Sequence, residues 1–476
     1  MVFKQSYLSR GLLTLILVFG LGQAETQGIR AHETELSGSE PYLVKDIWPG
    51  DGGSAPSDLA AMNGMLFLSA YDGGGMALWK SDGTESGTVR LSADIVPDQL
   101  TNVDGTLFFG AFDGSHGEEL WKSDGTVEGT VLVKDIYPGI FPARPSGLTN
   151  VNGTLFFEAG DDSHGRELWK SDGTEAGTVL VKDINPGASS SSPGYVTAMN
   201  GGLFFSADDN IHGRELWKSD GTAAGTVLIK DIWPGEEGSF PDNCLALNGL
   251  LFFRASDGIK GSELWKSDGT AAGTVLVKDI NPGDAGSHSD PSSLTALNET
   301  LFFNAIDGKH GYELWKSDGS RPGTIMVKDI TPGEGSSFPL WLTEMDGNLF
   351  FSATESDIGL GQELWRSNGT EIGTRQVKDI WPGILGSDTA ELTVANDALF
   401  FSADDGSLGR ELWKSDGTEG GTILVKDIHL GSGGSGPTEL ITVNDRLFFS
   451  AEDVLHGREL WALVVGSRYY LPVVRR

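Results

Sequence analysis

Apolar residues along this chain come in short runs broken by polar, glycine-rich turns, with no helical spacing. One stretch shows the grammar. Leu148-Thr149-Asn150-Val151 reads as a short strand. Asn152-Gly153 follows, a pair suited to a type I′ hairpin because both central residues need positive φ. Leu155-Phe156-Phe157 is a second strand, and a polar turn from Asp161 to Gly165 leads to a third, Glu167-Leu168-Trp169-Lys170. Ser171-Asp172-Gly173-Thr174 turns the chain again into a fourth, Thr178 to Ile184, which Pro186-Gly187 ends because proline cannot donate to a ladder.

The unit recurs. Its tryptophan returns at Trp79, Trp121, Trp169, Trp217, Trp265, Trp315, Trp365, Trp413 and Trp461, in steps of 42, 48, 48, 48, 50, 50, 48 and 48 residues. A fixed period of this size predicts stacked β units. Four antiparallel strands per unit predict the blades of an all-β propeller, and a β-solenoid would need shorter rungs and parallel pairing. The Leu-Phe-Phe runs are apolar on both faces, as a sheet sandwiched between two neighbours requires. The ends complement each other. Tyr42 to Ile47 is a fourth strand with no unit before it, and the last unit has three strands (Leu440 to Val443, Leu447 to Ser450, Glu459 to Leu463) and no fourth. Pairing them predicts a closed ring without exposed edges, of nine four-stranded blades, the alternative being eight blades and a displaced unit.

Composition refines this picture. The 67 glycines match the many turns, and a single cysteine, Cys244, excludes an intramolecular disulfide framework. Lys4 and Arg10, the apolar run Gly11 to Gly22 and the small-residue site Gly22-Gln23-Ala24 read as a secretory signal, too short to span a bilayer. The expected organisation is a signal peptide at 1–24, a linker at 25–41, the propeller at 42–463 and a tail at 464–476. Loss of the leader takes the formal charge from −33 to −35, which repels nucleic acid and favours cations or basic partners. The expected product is a secreted, extracellular or surface-associated monomer without an integral membrane segment.

The segments Glu119 to Thr126, Glu167 to Thr174, Glu215 to Thr222, Glu263 to Thr270 and Glu411 to Thr418 resemble the ELWxxDGT repeat family of bacterial secreted proteins. The resemblance runs from about residue 42 to 463, with Ala77, Asn368 and Ser320 as departures and a ninth copy ending at Glu459-Leu460-Trp461. It implies an extracellular propeller-like protein, grouped with adhesion-type proteins. It implies no catalytic residues.

Candidate chemistry is sparse. The turn aspartates Asp82, Asp124, Asp172, Asp220, Asp268, Asp318 and Asp416 offer one carboxylate each, so capping of their own turns is the favoured reading and a calcium role the lesser one. His116, His164, His212, His310 and His456 share a turn position that Lys260, Leu360 and Leu408 also fill, so they read as turn residues. The residue before Pro-Gly varies from unit to unit, and four times it is a large aromatic (Trp48, Tyr137, Trp233 and Trp381) at a loop mouth, a candidate platform for sugar rings. After the Leu-Phe-Phe strands, Glu158, Arg254 and Asn304 interrupt a row of small residues, which is where a catalytic site would start. No nucleophile elbow, zinc-helix motif or phosphate loop is present. No catalytic residue, metal ligand or cofactor is assigned. The balance is against an enzyme, and the expected function is a non-catalytic binding or adhesion propeller for a carbohydrate or surface protein. A calcium-stabilised surface protein and a propeller-type hydrolase using Glu158 are the alternatives.

Overall fold

The computed structural model describes residues 40–466, apart from 93–94, 284–285 and 356–360. The leader, nearly all of the linker, Leu360 and the tail beyond 466 lie outside the described residues. Those described are strands and turns without a helix, arranged as nine antiparallel sheets of four strands. The protein is a nine-bladed β-propeller, so the eight-bladed alternative falls away. Blades 1 to 9 occupy residues 57–90, 96–134, 146–182, 194–230, 242–278, 292–328, 340–378, 390–426 and 438–464, the last completed by Tyr42–Lys45. Within a blade the strands run A, B, C, D in chain order. Strand A touches the A strands of both neighbours in an unbroken circuit around the central channel.

Closure follows the predicted pairing. Tyr42 lies opposite Ala462, Leu43 opposite Trp461 and Lys45 opposite Leu460. Strand B is buried on both faces, with Leu155 and Phe157 fully buried, and each apolar cluster joins two blades. Leu155, Phe157 and Trp169 of blade 3, for example, pack on Phe108 and Leu120 of blade 2. The outer strands are clamped by lysine. Lys182 of blade 3 donates to the Thr226 carbonyl of blade 4 at 2.8 Å, and its Nζ lies 5.6 Å from the centre of the Trp217 ring. The clamp recurs at Lys230, Lys278, Lys328 and Lys378. In the Ser-Asp-Gly-Thr turn, Asp172 Oδ1 accepts from the Thr174 N–H (2.9 Å) and hydroxyl (2.7 Å), so this carboxylate is used by its own turn. Gly173 there has φ 85°, and an added Cβ would press on Phe108 of the preceding blade at 3.1 Å.

The glutamate of Glu-Leu-Trp organises the inter-blade loop. Glu313 is fully buried and accepts the Ile330 N–H (2.9 Å), the Thr331 N–H (3.1 Å) and the Ser337 hydroxyl (2.7 Å), three points on the loop from blade 6 to blade 7. Glu411 gathers four such donors, from Ile428, His429 and both the N–H and hydroxyl of Ser435. At the ring closure Glu459 holds Ile47, Trp48 and Ser54, which follow the N-terminal strand. Blade 1 has Ala77 at this position and a step of 42 residues to the next tryptophan. The missing carboxylate and the shortened loop are one structural event: with less loop to hold, no anchor is needed.

Burial pushes the carboxyls of Glu119, Glu215, Glu263 and Glu313 from 4.5 up to about 7, against the pull of their backbone donors. The network also accommodates a proton, because Ser337 Oγ lies 3.2 Å from the Tyr312 carbonyl and can receive from Glu313 while donating onward. The turn histidines are raised by their aspartates; His164 Nδ1 is 2.9 Å from Asp161 Oδ2. Both groups bind protons more tightly folded than unfolded. The glutamates' contribution is complete below 4.5 and lost as pH rises to about 7, and the histidines' is lost as pH rises above 6.5. The melting temperature is therefore expected to fall between about pH 5 and about pH 8, as a thermal scan across that window will record. Glu411→Ala, which strands three backbone N–H groups, is expected to cost about 3 kcal/mol in urea unfolding. A chain starting at Ser54 is expected to melt lower and to self-associate on size exclusion, because strand C of blade 9 becomes a free edge.

Candidate functional site

The channel is where the blades stop being alike. Every strand A carries a bulge at which one residue takes a left-handed backbone: Asp58, Gln99, Gly147, Tyr195, Asn243, Ser293, Trp341, Glu391 and Glu439. From blade 8 round to blade 3, these side chains are handed from blade to blade. Glu391 accepts the Glu439 N–H (3.0 Å), Glu439 the Leu59 N–H (3.5 Å), Asp58 the Gln99 N–H (3.3 Å) and Gln99 the Gly147 N–H (2.8 Å). That arc is acidic. The remaining bulge positions include Tyr195, 57% exposed, and Trp341, 46% exposed, bulky residues held at positive φ.

Above the bulges, on the face of the D-to-A loops, a second position varies: the residue before Glu-Leu-Trp. In blades 3, 4, 8 and 9 it is Arg166, Arg214, Arg410 or Arg458, whose guanidinium donates to loop carbonyls and closes the space over strands A and B. In blades 1, 2, 5, 6 and 7 it is Met76, Glu118, Ser262, Tyr312 or Gln362. Two clefts open where the arginine is missing.

The first, about 390 Å³, lies between blades 1 and 2, at the shortened loop, and is lined by Ser57, Asp58, Ser69, Met76, Val96, Pro97, Asp98, Phe112 and Glu118. Asp98 pairs across the ladder with Gly110, and a Cβ on Gly110 would stand in contact with Glu118 Oε1, at 3.4 Å. Burial, then the charge of Asp98, raises the Glu118 carboxyl against Arg144 and Arg166. Burial, then Asp98, also raises Asp58, with Glu439 adding to it and the Gln99 N–H opposing. The charge of Asp98 thus bears on two half-buried acids in one cleft. The second cleft, about 320 Å³, lies at blades 5 and 6 and is lined by Arg254, Asp290, Ser292, Asn304, Tyr312 and Phe338.

The aromatics expected at the rim are placed apart. Trp48, Tyr137, Trp233 and Trp381 are half-buried at four different junctions, each with its own N–H donated to the motif glutamate beneath. A Cβ on Gly258 or Gly406, in the B–C turn of the next blade, would overlap the Trp233 or Trp381 indole, and Trp48 meets Tyr71 edge-on at 4.8 Å. Tyr137 packs on Phe141 at 5.4 Å. Glu158, the first residue of the hydrolase alternative, is bound by Arg166 Nε (2.8 Å) and the Ser146 hydroxyl (2.9 Å). Arg254 and Asn304, picked out by their breach of the small-residue row, are brought together in the second cleft. Sequence reasoning missed Asp58, Asp98, Glu118 and Tyr312; for Glu118 and Tyr312 the signal available was variation at the position before Glu-Leu-Trp.

No family model matches the chain, and no curated protein matches its sequence. Solved structures similar to it include a puromycin hydrolase (11% identity, TM-score 0.41, 87% of this chain and 60% of that one). Others are a puromycin-hydrolyzing peptidase of Mycobacterium tuberculosis (12%, 0.42, 87% and 60%) and a prolyl endopeptidase (12%, 0.41, 85% and 55%). The chain spans about 60% of the length of the first two. The expected non-catalytic binding or adhesion propeller is not supported by these neighbours, which are hydrolases and peptidases by name. A likeness at this identity and TM-score is one of fold alone.

Glu158 is held in place by Arg166 and Ser146. Glu158→Gln is expected to cost about 1 kcal/mol of stability in urea unfolding, through the weakened contact to Arg166.

Proposed function

We propose that this chain is a propeller-type hydrolase whose active site is the acidic cleft between blades 1 and 2. The observation that carries the reading is the pair of half-buried acids, Asp58 and Glu118, lining one cleft with Asp98, left open by the shortened loop, and raised by burial and by the charge of Asp98. A carboxyl with a raised pKa keeps a proton to give to a leaving group, and a neighbouring carboxylate supplies the base or the charge that meets the developing positive centre. Glu118 is the proton donor in this scheme, Asp98 the charged partner, and Asp58 the group that keeps the local field negative. Paired carboxylates of this kind suit cleavage of a glycosidic C–O bond, whose oxygen leaves only when protonated. Phe112, 48% exposed, and Val96, 47% exposed, give the cleft an apolar lip.

The in-register Glu-Leu-Trp and Asp-Gly-Thr segments support placing the chain with the ELWxxDGT repeat proteins, and the apolar run Gly11 to Gly22 behind Lys4 and Arg10 supports a secreted location.

The test is turnover by the mature chain on a panel of nitrophenyl glycosides and polysaccharides, read by released phenol or reducing ends. Glu118→Gln is expected to lower kcat by about 10²-fold or more, with melting temperature retained, and Asp58→Asn to shift the acid limb of the pH–rate profile. Absence of turnover across the panel, or unchanged kcat in Glu118→Gln, overturns the assignment.

A further inference from the structure

We propose that the cleft at blades 5 and 6 is a binding site for a small ligand carrying a protonated amine. This goes beyond the hydrolase reading and concerns a different part of the ring. Four observations carry it. Asn304 is 4% exposed, lines the cleft, and its Oδ1 is buried without a protein partner, so the wall of the cleft holds an unpaired amide acceptor. Asp290 is held loosely, 3.5 Å from the Tyr312 hydroxyl and 3.7 Å from Arg254 Nη1, and keeps acceptor capacity. Arg254 is already committed to Asp242 through Nε (2.7 Å) and Nη2. Two carboxylates against one guanidinium leave one negative charge over. Finally, Tyr312 and Phe338 stack at 5.6 Å, presenting aromatic surface beside that charge.

An ammonium group answers each of these. It donates to Asn304 Oδ1 and to Asp290 through charge-assisted hydrogen bonds, and it is attracted by the negative faces of the rings. A carboxylate or phosphate ligand would face Asp290 and Asp242 and find the arginine occupied. The overall charge of −33 draws the same kind of ligand from solution. The cleft is open because Tyr312 stands where Arg214, Arg410 and Arg458 close the equivalent space in other blades.

Repetition within the ring supplies substitutions that the fold already tolerates. Asn304→Ser installs the residue found at Ser69, Ser206, Ser352, Ser402 and Ser450, and Asp290→Ser copies Ser192, which also has positive φ. Calorimetric titration of the mature chain uses three probes: cadaverine, D-glucosamine and D-glucose. The two amines are expected to bind and glucose not to, with each substitution weakening amine binding by about tenfold or more. Glu118→Gln, in the other cleft, is expected to leave amine affinity unchanged, so failure here and failure of the hydrolase assignment are read separately. Equal binding of glucose and glucosamine, affinity retained in both variants, or no binding of either amine overturns the proposal.

Discussion

A carboxylate buried at the start of strand C is the interaction on which this ring depends. The loop between two blades carries backbone N–H groups that no strand satisfies, and a buried unpaired donor is costly. One glutamate side chain collects two or three of them together with a serine hydroxyl, and so decides where the loop lies and where the next strand A begins. Blade 1 shows the dependence from the other side. Where Ala77 replaces the acid, the loop it would have held is shortened and a cleft stands in its place.

Much of the architecture was legible because the repeat displays its own errors. Nine tryptophans in near-constant steps counted the blades, and the orphan strand at Tyr42 matched the strand lacking after Trp461. The role of the motif glutamate was hidden for a physical reason: its partners are mostly backbone amides, and a backbone amide has no letter. The seats of the rim aromatics were hidden for a related reason. Loop position placed them at the loop mouths, but the glycine that faces the Trp233 indole, Gly258, belongs to the following blade, and the pair forms only once two blades are side by side. Arg254 and Asn304 were visible as outliers in a row of small residues, and proximity in the fold joined them. Glu158 was an outlier of the same kind and found Arg166 instead, because Arg166 is one of the four arginines that close their blades.

What the ring holds constant and what it varies serve different ends. Leucine, tryptophan and the buried acid repeat because each interface must bury the same apolar surface and satisfy the same loop donors. The residue just before the acid points to the mouth of the channel, touches neither requirement, and is free to be arginine, glutamate, tyrosine or methionine. Arginine fills the space and pairs with loop carbonyls. Any other choice leaves a hollow whose chemistry is that of the substitute and its neighbours. A scaffold with nine equivalent positions thus acquires distinct sites by losing the filler at some of them, without disturbing the packing beneath.

The acidic cleft also depends on closure. Asp58 opens blade 1 and Glu439 opens blade 9, the blade completed by the N-terminal strand, and Glu439 Oε2 receives the N–H of Leu59, the residue after Asp58. Part of the upward push on the Asp58 carboxyl comes from that same Glu439, across the seam. Separating the ends of the ring would take away this neighbour and expose Asp58 to water, and both changes lower its pKa. Part of the proton affinity of Asp58 therefore depends on a neighbour across the seam that the pairing of Tyr42–Lys45 with the last strand closes.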